Sequence, residues 1–511
     1  MIVYENFLEK AKALEPKIFE RTVRPIGEAK LYEDKTRRFG WNARIIGSVE
    51  DFSARKFKQD DVAVLDFGEH MVGYLRLKVK ANDSHADSPL RLKLTFGELP
   101  CDTAIPAETF DGKLGRSWLQ TEIITMDVIP GEIELPRRYA FRYLRIEVTG
   151  LSPYYTVSFV DVSCRAITSA DETKLLPLTG VADEELRAID AAGVRTFRDC
   201  MMRTFEDGPK RDRRQWAFDS TQGFFANAYT YRAFDMVRRS LYLQAAFSHD
   251  DGNCAICFYV SPEYEAGNER MAEQSASFIW TLAQYVKDTG DVGILAELWP
   301  TAKRQMHATM AYKQADDMME KEPFFLYWST SDNELFAQAF TIRTLQIYKE
   351  LAEQMGEPEE VRFATTEEAT LSALVKARLY DEERGVFVSG TNREVSLESQ
   401  VWAATAGLVD KTEVAALYDR TTAIAEAKPI ESTATYAFYV MSLLECDEKE
   451  RAVNAIKVYW GEMLREGGDT LFEHFNLSNT YPCPYRQILV DSYCHGCQSI
   501  VSYLIRKYLA E

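Results

Sequence analysis

Basic charge is what this sequence lacks most plainly: 60 lysines and arginines face 79 aspartates and glutamates, a net charge of −19 over 511 residues. A nucleic-acid binder needs a basic face to neutralise phosphates and release counterions, so that class of partner loses support. Long apolar runs are missing too. No window holds the roughly 18 uninterrupted apolar residues of a membrane span, and the opening "MIVYENFLEKAKALEP" has neither the basic start nor the apolar stretch of an export signal. Cysteine is sparse and odd in number, nine in all, which fits reduced thiols in a cytoplasmic enzyme better than a disulfide framework. The expectation is a cytoplasmic protein with no membrane or nucleic-acid partner. A small, neutral or mildly polar molecule is the ligand that suits it, and a homo-oligomer is compatible with this composition.

Several catalytic signatures are absent as well. There is no G-x-G-x-x-G after a strand, no G-x-x-x-x-G-K-[ST], no G-x-S-x-G and no H-E-x-x-H, so nucleotide, serine-hydrolase and zinc-protease chemistries lose support. No cofactor is required. No residue pattern recurs at a fixed period, which removes a solenoid from consideration.

What is present divides the chain in two. From about residue 20 to 167 the period is two: "YLRLKVKA" sets Leu75, Leu77 and Val79 against Arg76, Lys78 and Lys80, and "LRLKLTF" and "YLRIEVTG" repeat the device. Strands with one wet face predict an antiparallel β-sandwich over residues 1–175. After "ITSADETKLLPLTG" the period becomes helical. Apolar-striped segments lie near 183–203, 218–233, 235–248, 271–289, 291–315, 333–355, 364–380, 396–408, 411–426, 432–446, 448–465 and 488–509. Breakers such as "DTGD", "GEPEE" and "GLVDKTE" separate them. Twelve such helices without a repeat suit six inner and six outer helices closed into an (α/α)6 barrel over residues 176–511, with a ligand in the funnel at one mouth.

The densest chemistry lies in "EDGPKRDRRQWAFDS", residues 206–220. Asp207, Asp212 and Asp219 supply acceptors, Arg211 a donor fork, and Trp216 a flat apolar face, which are the parts of a carbohydrate subsite. The same residues also suit a salt-bridged approach to a helix with the tryptophan in the core. Two C-x-x-C pairs, Cys254 with Cys257 and Cys494 with Cys497, could build a tetrahedral zinc site only if they met in space, and their separation is far from ribbon spacing.

The stretch "DGPKRDRRQWAFD" resembles the signature of the bacterial α-L-rhamnosidases, the inverting glycoside hydrolases of family 78, whose pattern runs D-C-P-x-R-D-E-R-x-x-W-x-G-D. "TLFEHF" resembles the segment bearing that family's general base, "DSYCHGC" its late S-x-C-H-G-W segment, and "LDFGEHMVGYLRLKV" a strand pair of the β-sandwich before its barrel. The resemblance implies hydrolysis of a terminal α-L-rhamnoside, or a related deoxysugar, from a small glycoside. It puts Asp207, Trp216 and Asp219 at sugar-binding positions, Glu473 at the general base and His495 at a substrate contact. Trp328 in "FFLYWSTSDNELFAQAF" falls on a stacking tryptophan, with Tyr327 where an aspartate is usual.

The motif is one residue short. Counting from Asp207 puts Arg213 at the general-acid position, and counting back from Trp216 puts Asp212 there. Arginine does not give up its proton near neutrality, so Asp212 is the acid or a sugar ligand, with Glu263 or Glu265 as alternative acids. Arg211 and Arg213 beside Asp212 would depress its pKa, whereas Glu473 between Phe472 and Phe475 would have its proton affinity lifted by desolvation. The catalytic expectation is that Asp212 and Glu473 face one another across the width of a water molecule.

Overall fold

The computed structural model describes residues 1–477 and 484–510. Its N-terminal part is β-rich. Nine strands form one antiparallel system: β1 (Phe19–Val23), β2 (Gly27–Glu33), β3 (Trp41–Gly47), β4 (Val62–Asn82), β5 (Leu90–Gly97), β6 (Thr121–Met126), β7 (Gly131–Glu134), β8 (Tyr139–Gly150) and β9 (Thr156–Thr168). The main path runs β1-β9-β4-β8-β5-β6, with β2 and β7 also pairing to β4. Alternation does the sorting here: Leu75, Leu77 and Val79 are fully buried while Lys78 and Lys80 are exposed.

The segment expected as a strand pair, "LDFGEHMVGYLRLKV", is instead one bent strand. The β4–β8 register shifts between Asp66 and Met71, and Gly68 at the bend has φ +80°, a conformation open to glycine. The bend brings His70 to the helical part. Before the sheet, a helix at Glu5–Ala13 packs on helix Phe234–Ala246, and Ile2–Val3 pairs with Phe247–Ser248. The first residues thus dock on the helical part, which a period-two reading of the region does not anticipate.

Among the described residues twelve helices follow: α1 (Glu184–Cys200), α2 (Ala217–Phe225), α3 (Phe234–Ala246), α4 (Ala272–Thr289), α5 (Val292–Met310), α6 (Glu334–Met355), α7 (Pro358–Leu379), α8 (Leu397–Thr405), α9 (Val414–Thr422), α10 (Thr433–Glu445), α11 (Lys449–Arg465) and α12 (Ile500–Tyr508). Side chains of Asp183, Asp291, Ser396 and Ser432 cap N-termini. The breakers noted in the sequence end helices through left-handed glycines, Gly290 and Gly356. The last helix is shorter than the expected 488–509: residues 488–490 and 496–499 are 3-10 turns. That irregular backbone leaves His495 outside the helix. Among the described residues no helix is long and apolar enough to cross a membrane.

The even-numbered helices pack in succession, α2 on α4, α6, α8, α10 and α12, and α12 returns to α2. Each odd-numbered helix lies against one or both of its neighbours in this ring. Aromatic rings from the even helices meet along the middle: Trp280 stacks on Phe340 at 5.0 Å, Phe336 meets Trp402 at 4.7 Å, and Trp402 meets Phe438 at 4.9 Å. Such contacts add to a large burial term. Phe340→Ala is therefore expected to cost about 3–5 kcal/mol, read as a lower urea midpoint by circular dichroism, whereas Tyr154→Ala, at a 75 % exposed position, should stay within about 0.5 kcal/mol.

Candidate active site

The loop between α1 and α2 is fixed by backbone bonds to α1, within itself and to the segment before α12. Glu206 N donates to Cys200 O at 2.8 Å, Gly496 N to Asp207 O at 2.6 Å, and Asp207 N to Arg214 O at 2.9 Å. A Cβ on Gly208 would meet Ser492 Oγ at 2.8 Å, so glycine permits this close approach. Asp212 and Arg213 both adopt positive φ, 64° and 56°. Two consecutive non-glycine residues there are strained, and the surrounding bonds hold them.

That turn sends its four cations to four different places. Lys210 Nζ donates to Asp102 Oδ1 at 3.0 Å and to Asp491 O at 2.7 Å, tying the loop to the β-rich part. Arg211 lies under the Tyr485 ring, donates to Val490 O at 3.2 Å and pairs with the Glu473 carboxylate. Two of its three nitrogens, Nε and Nη2, are therefore taken by protein groups. Arg213 is buried toward Arg138 and Glu206, and burial with the Arg138 charge lowers its pKa to about 10. Arg214 bonds Tyr259 Oη.

Asp212 sits among these cations. Its Oδ1 lies 3.7 Å from Arg211 Nη1 and 3.7 Å from Arg214 Nη2, and Trp216 Nε1 donates to its Oδ2 at 3.3 Å. Arg213, expected beside it, turns away and is replaced by Arg214. Asp212 keeps 20 % of its side chain exposed, against 4 % for Glu473. It is the more exposed of the two carboxylates.

Glu473 precedes α12 in sequence, its N bonded to Ser492 O at 2.9 Å and its Oε1 accepting from Tyr485 Oη at 2.7 Å. Burial raises its proton affinity, as expected. The Arg211 guanidinium and His495 outweigh burial, however, so the net shift is below the ordinary carboxylate value rather than above it. Part of the stretch "NLSNTYPCPYR" after it, residues 478–483, lies outside the described residues.

The remaining acids behave in the opposite sense. Burial, with the Asp212 and Asp219 charges, holds the Asp207 pKa well above the usual range, and burial raises Asp219. Tyr327 Oη donates to Asp219 Oδ1 at 3.0 Å, which gives the tyrosine a role at the position where the resembled family has an aspartate. His495 joins the two, Nε2 at 3.9 Å from Asp207 and Nδ1 at 3.8 Å from Asp219, with Cys497 Sγ at 3.2 Å from Nδ1. Trp328, in a left-handed conformation at φ 56°, packs edge-on to Tyr485 at 5.1 Å, and its buried Nε1 has no hydrogen-bond partner. An unsatisfied donor there is available to a ligand oxygen.

The structure thus brings Asp207, Arg211, Asp212, Trp216, Asp219, Trp328, Glu473 and His495 to the end of the ring where the even-numbered helices begin. Glu263 and Glu265, the alternative acids, are both exposed. The two C-x-x-C pairs do not converge: among the described residues, Cys494 gathers with His70 and Asp199, and Cys497 with Asp219 and His495. The sequence reading missed Tyr485 and Glu273. The latter is buried at the start of α4, accepts from Phe325 N at 3.0 Å, and is pushed to about 8 by burial.

It also missed the support beneath the site. His70 is fully buried, with Nδ1 2.7 Å from Asp199 and Nε2 3.1 Å from Glu98. Glu98 in turn accepts from Tyr493 N at 2.7 Å and lies 3.9 Å from Lys210 Nζ. The bent strand, α1 and the loop before α12 are joined through one imidazole. Burial opposes a charge on His70, but Cys494 and the two carboxylates outweigh it and hold its pKa well above the free value.

Known proteins resemble this chain over most of its length. Residues 25–166 match the glycosyl hydrolase family 78 alpha-rhamnosidase N-terminal domain, and residues 181–509 the bacterial alpha-L-rhamnosidase 6 hairpin glycosidase domain. The chain is similar to a solved rhamnosidase from Klebsiella oxytoca with rhamnose bound, at a TM-score of 0.95 and 33 % identity over 99 % of each chain. A family 78 rhamnosidase of a Bacillus species shares the fold at a TM-score of 0.73 and 18 % identity, covering 92 % of this chain and 50 % of that one. An α-L-rhamnosidase of Streptomyces avermitilis, complexed with L-rhamnose, does so at 0.66 and 16 %, covering 96 % and 44 %. The chain spans about half the length of these last two relatives. No curated protein sequence matches it. The fold is that of a six-hairpin glycosidase with a β-rich N-terminal domain.

His70 supplies a test of how the site is supported. A histidine whose folded pKa is raised stabilises fully below its unfolded value of about 6.5 and loses that contribution as pH climbs through the folded value. His70→Gln should therefore cost about 3–5 kcal/mol in mildly acidic solution, the scale of a broken buried pair. In urea titrations the difference from the native protein should shrink as the pH is raised above that value.

Proposed function

The chain belongs to glycoside hydrolase family 78, the α-L-rhamnosidases, and on that premise we propose how its carboxylates release a terminal α-L-rhamnosyl residue with inversion. The protein is a glycosidase. Glu473 serves as the general base, taking a proton from the water that attacks the anomeric carbon. Asp212 serves as the general acid, giving its proton to the departing glycosidic oxygen. One observation carries this assignment: the two carboxylates flank a single buried guanidinium, that of Arg211, from its two sides. A spacing of that order suits an inverting pair, whose carboxyls stand roughly 6.5–9.5 Å apart to admit a water.

The other residues divide the remaining work. Arg211 and His495 keep Glu473 ionised, as a base requires, so Arg211 is a positioning residue and not a sugar ligand. Asp207, Asp219 and His495 hold sugar hydroxyls, and Trp216 and Trp328 pack against the ring, with Trp328 Nε1 free to donate. Burial, with the Asp212 and Asp219 charges, holds the Asp207 pKa well above the usual range, and its Oδ1 accepts from Arg214 N at 3.3 Å. The fold reading that accompanies this is an antiparallel β-sandwich joined near residue 175 to an (α/α)6 barrel. Small glycosides taken into the cytoplasm are the substrates that fit a buried, single-sugar site.

Two measurements test the roles. Asp212→Asn is expected to lower kcat by about 10²–10⁴ on an alkyl α-L-rhamnoside and much less on a dinitrophenyl rhamnoside, whose leaving group needs no proton. Equal losses on both would remove Asp212 from the acid's role. Because Glu473 sits below the ordinary carboxylate value, the acid limb of kcat/KM should lie below about pH 4.3, the unperturbed glutamate value. Arg211→Met should carry that limb upward, since burial is then opposed by less positive charge.

A further inference from the structure

The ring has a second mouth. Where the even-numbered helices end, they enclose a cavity of about 670 Å³. Glu273 at the catalytic mouth and Lys287 at this one stand on the same helix, α4, so the two mouths are about 20 Å apart at 1.5 Å per residue. The aromatic rings of Trp280, Phe340, Trp402 and Phe438 fill the space between them, and Trp280 and Phe438 form the floor of the cavity. It is a separate compartment, not an extension of the sugar site.

Its lining is mixed. Ile347 and Leu351 are buried and Met441 half-buried, whereas among the charged residues Lys287, Glu350, Lys411 and Glu445 are exposed and Arg343 and Lys507 half-buried. Four are cations, Lys287, Arg343, Lys411 and Lys507, against two carboxylates, Glu350 and Glu445. This excess of positive charge occurs in a chain whose net charge is −19. None of the four cations makes a salt bridge among the described residues. Arg343 donates to Gln346 at 3.0 Å, and Lys507 to the hydroxyls of Tyr503 and Tyr508 at 2.5 and 3.0 Å. Burial, and then the Lys287 charge, lower the Lys507 pKa, while the Glu445 and Asp288 carboxylates oppose the shift. The negative ends of the surrounding helices offset part of the positive charge.

We propose that this second mouth binds a small organic anion with an apolar ring, its ring on the Trp280–Phe438 floor and its carboxylate or sulfonate among Lys287, Arg343 and Lys507. The volume is within the range of small-molecule sites. A sugar would find no matching acceptors on the floor, and an inorganic anion would leave the apolar depth unfilled. The site is independent of the catalytic reading, because it shares no residue with it.

The aromatic sulfonate 8-anilinonaphthalene-1-sulfonate is the probe. The native enzyme should bind one equivalent with a fluorescence gain that saturating rhamnose does not reverse, and naphthalene-1-carboxylate should displace it at least tenfold better than the neutral 1-naphthalenemethanol. Lys287→Met combined with Lys507→Met should weaken dye binding at least tenfold while rhamnoside hydrolysis is kept. Displacement by rhamnose, equal competition by the neutral analogue, or undiminished binding to a folded double variant would each overturn the proposal. The competition needs only the native protein, so it decides the matter even where the double variant does not fold.

Discussion

A buried guanidinium is the constraint on which this molecule turns. Arg211 is taken out of water, a costly step unless its charge is paired and its donors are used. Glu473 supplies the charge, Val490 a carbonyl and Tyr485 a ring face. Those three partners come from the segment between α11 and α12, while Arg211 itself follows α1. Binding them together closes the chain's helical part at the place where its first and last helices meet. The same contact lowers the proton affinity of Glu473, the proposed base.

Around that pair the charges are arranged in tiers. Lys210, the neighbour of Arg211, reaches Asp102 and the Asp491 carbonyl, and Glu98 connects it onward to His70 and Asp199. The β-rich domain is therefore more than an attachment. Its bent strand delivers an imidazole, and its "GELPCD" turn delivers two carboxylates, under the floor of the active site. In front of the floor, Asp207 and Asp219 carry raised pKa values while Glu473 carries a lowered one.

Much of this was legible in the sequence, for local reasons. Period two exposed strands such as β4 because one of their faces is wet, and helical stripes with glycine breakers exposed α4 and α6 because their ends need left-handed residues. The cluster from Asp207 to Asp219 was visible because it is contiguous. What the sequence could not express is pairing over distance. Arg211 looked available to a sugar because Glu473 lies far along the chain, and Glu473 looked like a base of raised pKa because only its flanking phenylalanines could be read. His70 was hidden for the same reason, since its partners come from strands and helices that meet only in the fold. The short last helix escaped because "SYCHGC" continues the apolar stripe while its backbone bonds go elsewhere.

The stereochemistry of the first-formed sugar tests the central assignment most directly. Proton NMR of an aryl α-L-rhamnoside in the opening seconds of turnover reads the anomer before mutarotation mixes it. A water activated by Glu473 opposite the proton given by Asp212 produces β-L-rhamnose first. Initial α-L-rhamnose would mean a covalent intermediate and retention, and would contradict the pairing of these two carboxylates across one guanidinium.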